Sequence, residues 1–158
     1  MNKKWIAGFT VVAVLSVFSI YSVNTFSHCQ IPCGIFGDDL RFSLLAEHLV
    51  TIEKSMKQIE ELSAGDTAKN TNQIVRWVQN KENHADEFTE IVTAYFMAQR
   101  VKPADESDAA AFKAYTQQII LLHKMVVGAT KCKQTTDVAH VEAMEKLVEE
   151  FHALYTAK

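Results

Sequence analysis

The sequence predicts an all-α fold, an antiparallel four-helix bundle over about residues 39–157 preceded by a short N-terminal hook at 28–36. Apolar residues recur at steps of three and four along four separate stretches, the spacing that builds one face of an α-helix. Only 5 Gly and 2 Pro interrupt 158 residues, 48% of them hydrophobic, so turn-formers are few and apolar mass suffices for one core. "HCQIPCGIF", residues 28 to 36, follows no helical period.

The first helix is marked by Leu45, Leu49, Ile52, Met56 and Ile59. It is expected from about Asp39 to Leu62, with Asp38 or Asp39 as N-cap and "SAGD" (63–66) as its end. Ile74, Val78, Ala85, Phe88, Val92 and Tyr95 define a second, stopped at Lys102-Pro103 because proline lacks the N–H a helix interior needs. Phe112, Ile119, Leu122 and Val126 mark a third, from near Ser107 to a close at Gly128 and the polar "TKCKQTTD". The fourth carries Val141, Met144, Val148, Phe151 and Tyr155. Short links between such helices give an antiparallel bundle, and the Met and aromatic residues on these stripes belong to its core.

Residues 1–27 form a separate unit. Lys3 and Lys4 precede an almost wholly apolar run from Ile6 to Ile20, and the small residues Thr25 and Ser27 stand at −3 and −1 of a cut before His28. That is the pattern of an export leader removed by a leader peptidase. Trp5 to Val23 is also long enough for an uncleaved anchor, which needs roughly 18 or more apolar residues; Thr10, Ser16 and Ser19 favour cleavage. The expected location is therefore periplasmic or secreted, with membrane contact only through the uncleaved leader. Removal leaves 131 residues and, with two lysines gone, takes the net charge from −3 to −5. A chain of that charge has no nucleic-acid surface.

The chemistry concentrates at the new N-terminus. Pro32 favours a turn between Cys29 and Cys33, and Gly34 permits a sharp exit. The two sulfurs have two outcomes in an oxidising compartment: a disulfide, or thiolates on a metal. Spacing alone leaves both open. Cleavage before His28 adds a free α-amine, which titrates just above neutrality and yields its proton readily to a metal. That amine, the Cys29 amide nitrogen and the Cys29 sulfur make two fused five-membered chelate rings. Cys33 closes a plane, and the His28 imidazole reaches an axial position. Such a field suits nickel(II) or copper(II), whereas zinc prefers tetrahedral closure.

These residues resemble the nickel hook of nickel-containing superoxide dismutase, His-Cys-x-x-Pro-Cys-Gly-x-Tyr, with His28, Cys29, Pro32, Cys33 and Gly34 on its fixed positions. "TIEKSMKQIEEL" in the first helix also looks like members of that family. The resemblance implies a homohexamer of four-helix bundles, one nickel ion per subunit, and disproportionation of superoxide to oxygen and peroxide by Ni(II)/Ni(III) cycling. It assigns thiolate and amide nitrogen to Cys29, thiolate to Cys33, and amine plus axial imidazole to His28. Pro32 and position 36 border the substrate pocket.

Two positions depart from the family. Phe36 stands where Tyr is usual and has no hydroxyl to donate. Leu44 falls where some members place a Glu behind the axial imidazole, and His84 where they place an Arg. Glu47 and His84 are the expected substitutes. His48, His123, His140 and His152 show no paired ligand spacing, and Cys132 reads as a buried or helix-terminal thiol. Two other functions remain: a non-enzymatic helical module with a Cys29–Cys33 disulfide, and a nickel or copper carrier using the same hook.

Overall fold

A computed structural model describes residues 37–157. Within them the chain forms α1 (Asp39–Ala64), α2 (Thr67–Glu90), α3 (Ala109–Gln134) and α4 (Ala139–Thr156). A π-helical segment, Ile91–Arg100, continues α2 without a break. Each helix packs on the next, and α4 closes back on α1. Neighbours run antiparallel: His48 faces His84 and Ser55 faces Asn80 across α1 and α2, while Asp38 and Phe42 on α1 meet Tyr155 and Phe151 on α4. No helix among the described residues is long and apolar enough to cross a membrane.

The expected core is borne out for Leu45, Leu49, Ile52, Met56, Ala85, Phe88, Val92, Tyr95, Leu122, Val141, Met144 and Phe151, all buried. Val78 and Phe112 are exposed instead. The inner face of α3 is set by Leu121, Leu122, Met125, Ala129 and Cys132, one step round from the stripe expected there. Polar side chains fix the helix starts. Asp66 accepts from the Lys69 N–H at 3.3 Å, and Asp108 from Ala110 and Ala111 at 3.1 and 3.0 Å. These replace unmade backbone bonds in the first turn.

Gly128 does not end its helix, contrary to the sequence reading. α3 runs on to Gln134, and Gly128 lies where Met144 of α4 crosses. A Cβ built there would stand 2.1 Å from the Met144 sulfur, so the missing side chain serves helix–helix approach. The C-terminal carbonyls of α3 are gathered by Lys81, buried against the bundle, whose ammonium donates to Lys133 and Thr135 carbonyls at 2.7 and 2.9 Å.

The π register sets the end of the bundle at which α1 begins. A π turn holds one residue more than an α turn, so Tyr95 and Phe96, consecutive in sequence, both face inward. The Val101 N–H donates five residues back to the Phe96 carbonyl at 2.8 Å, and the Gln99 side chain donates through Nε2 to the Ala94 carbonyl at 2.6 Å. Phe96 meets Phe42, Phe151 and Tyr155 at centroid distances of 4.8, 5.1 and 5.6 Å, a layer of rings joining α1, the π segment and α4.

Gly128→Ala tests the close crossing. Although alanine favours a helix, the added methyl must displace a buried methionine. It is expected to lower stability by about 1–2 kcal/mol, read as a fall in denaturation midpoint; an unchanged midpoint contradicts the tight contact.

Candidate functional site

Gly37 and Asp38 join the hook segment to α1. Gly37 has φ +78°, a backbone state that other residues adopt only at a cost. Asp38 occupies the N-cap position of α1 but makes no capping bond with its side chain. The carboxylate turns inward instead. Oδ1 accepts from the Tyr95 hydroxyl at 2.5 Å, and Oδ2 accepts from the Tyr155 hydroxyl at 2.6 Å and from Arg100 Nη2 at 2.7 Å. Arg100 Nε also donates to the Tyr155 oxygen at 3.2 Å, and the Arg41 guanidinium lies 5.0 Å above the Tyr95 ring.

Charge at this knot is matched. Burial alone would raise the Asp38 pKa, but the hydrogen bonds from Arg100, Tyr155 and Tyr95 outweigh it and hold the carboxyl below its ordinary range. Tyr95 is pushed up to about 12, first by burial and then by the carboxylate it serves. Burial and the same carboxylate raise Tyr155, and hydrogen bonds to Asp38 and Tyr155 raise Arg100. At neutral pH the knot is one anion, one cation and two neutral phenols. Next to it in sequence, Gln99 leaves its Oε1 buried with no partner among the described residues.

A second polar cluster lies between α1 and α2. His48 Nδ1 and His84 Nδ1 are 2.9 Å apart, and Glu87 Oε2 lies 3.5 Å from the first and 3.6 Å from the second. His48 is buried, His84 half-buried and Glu87 exposed. Burial first, then the neighbouring imidazole, lowers the His48 pKa. His84 therefore meets His48 and Glu87, while Glu47 points from the exposed face of α1.

His28, Cys29, Pro32, Cys33 and Phe36 precede the described residues. Cys132 is fully buried, and burial raises its thiol pKa to about 11, which keeps the nucleophilic thiolate scarce at neutral pH. Sequence reasoning took Asp38 for a simple cap, Tyr95 and Tyr155 for core residues and His48 for a lone histidine. It passed over Arg100. The legible signal was His84-x-x-Glu87, two donors one turn apart on one helix face.

Neither curated proteins nor solved structures gave a match. A family model described as nickel-containing superoxide dismutase matches residues 23–158, which takes in the hook segment and the whole bundle. The chain thus belongs to the nickel-containing superoxide dismutase family, and is an oxidoreductase that carries nickel.

Proposed function

We propose that cleavage before His28 creates the nickel site, and that the hook at 28–36 dismutes superoxide there. The observation that carries this is the family match across residues 23–158, together with His28, Cys29, Pro32, Cys33 and Gly34 in hook order. The donor set fits nickel: two soft thiolates with an amine and an amide nitrogen favour a square-planar d⁸ ion over zinc. His28 would hold the ion through its amine and imidazole, Cys29 through sulfur and amide nitrogen, and Cys33 through sulfur. When bound, nickel supplies the one-electron Ni(II)/Ni(III) couple. Pro32 and Gly34 shape the turn, and Phe36 walls the pocket without offering a proton.

The remaining residues give the hook a fixed base. Gly37 sets the chain direction and the Asp38 knot pins the next residue to the π segment and α4. Export fits the leader pattern of residues 1–27. The homohexamer in this reading rests on the resemblance of the hook and first helix to the family.

Intact mass, nickel content and superoxide decay test the proposal together. A chain beginning at His28 is expected to hold one nickel with both thiols reduced and to accelerate decay. One extra residue ahead of His28, or Cys29→Ser, is expected to release nickel and return decay to background. A mass two protons lower without metal means the disulfide module, and bound nickel without turnover means a carrier. Phe36→Tyr is expected to keep nickel but alter turnover and azide inhibition; identical behaviour removes Phe36 from the mechanism.

Asp38→Asn leaves Arg100 without its counter-ion and should lower stability at pH 7 by about 1–3 kcal/mol. Because the folded carboxyl titrates below its unfolded value, its contribution is present above about pH 4 and fades as pH falls through the folded pKa. Denaturant midpoints of both proteins should therefore converge at low pH; a constant gap would show that the charge is not the cause.

A further inference from the structure

His48, His84 and Glu87 are arranged as metal ligands, with chemistry different from that of the hook. The hook offers sulfur, whereas this cluster offers two imidazoles and a carboxylate. His48 lies ten residues along α1 from Asp38, roughly 15 Å down the bundle at the usual helical rise. His84 and Glu87 are separated by three residues on α2, so they share a face. That is the spacing with which helical bundles project paired ligands into a seam between helices.

The distances separate a metal site from a simple histidine pair. Hydrogen bonding between the imidazoles uses one proton and satisfies the 2.9 Å contact, but leaves the carboxylate at 3.5 and 3.6 Å, too far for a good bond to either. A tetrahedral ion with bonds of about 2.0–2.1 Å holds its ligand atoms about 3.3–3.4 Å apart. The three sides straddle that value, and the point equidistant from all three atoms is about 1.9 Å from each. An ion at bonding distance from every donor thus sits just outside their plane. The fourth position faces the side of exposed Glu87, where water is available.

We propose that His48, His84 and Glu87 bind a divalent first-row cation, zinc foremost, that clamps α1 to α2 independently of the hook nickel. Two nitrogens and one oxygen without sulfur suit zinc with water as its fourth ligand. The free energy of binding then adds to stability of the bundle, since the unfolded chain does not bring residues 48 and 84 together.

Cys29→Ser/Cys33→Ser disables the hook and isolates this site in the full chain. After chelation, zinc titration is expected to give one equivalent bound, with a melting temperature about 5 °C or more higher at a hundredfold excess over Kd. Cobalt substitution should give the d–d absorption of a tetrahedral N/O site. Glu87→Gln, at an exposed position that folding tolerates, should weaken binding at least tenfold, and His84→Gln should remove it. The native protein should carry zinc beside nickel. No zinc retained by the hook-disabled chain overturns the site, as does equal affinity in Glu87→Gln and His84→Gln. Because dismutation, and the nickel that is lost when Cys29 and Cys33 are replaced, report on the hook, the two proposals fail separately.

Discussion

One carboxylate holds together the parts of the chain that bear on the hook. Asp38 begins α1, Tyr95 and Arg100 end the second helical arm, and Tyr155 ends α4, yet all three donors converge on its two oxygens. Asp38 is half-buried, and the cost of partly desolvating its charge is met by a guanidinium and two phenols that surround it. The arrangement replaces an ordinary helix cap: the carboxylate that would serve the first turn of α1 serves tertiary structure instead. The whole of α1 starts from this fixed point, and Gly37 before it is tethered there.

The π segment makes that convergence possible. In a regular α-helix Tyr95 and Phe96 would point about 100° apart, and a narrow core stripe would not bury both. The wider turn brings the phenol to Asp38 and the phenyl to the ring layer beneath it, while Arg100, at the end of the same segment, still reaches the carboxylate. Knot and ring layer are therefore consecutive storeys of one structure, polar above and aromatic below. The upper one stays partly open to water at its carboxylate and guanidinium, while the lower one is closed apolar packing.

Much of this was legible in the residues. Four helices follow from three-and-four spacing, because burial of one face is a local property of each segment. The hook can be proposed from sequence because its candidate donors lie within six residues and chelation would need no distant partner; it lies outside the described residues. Contacts between segments were not. Gly128 looks like a stop signal until Met144 is placed against it. His48 looks alone until a residue 36 positions later arrives 2.9 Å away. The change of helical register at Ile91 leaves no local mark, because nothing in "IVTAYFMAQR" forbids an ordinary helix. Tertiary demand selects the wider turn there.

The tie between Asp38 and Tyr155 spans 117 residues of sequence. On a ribosome the carboxylate is therefore made well before the phenol that completes its set of donors, and the junction closes only once α4 has been synthesised. A polypeptide broken off within α4 carries Asp38 and Arg100 but not Tyr155, so this tie forms late in assembly although one half of it is made early.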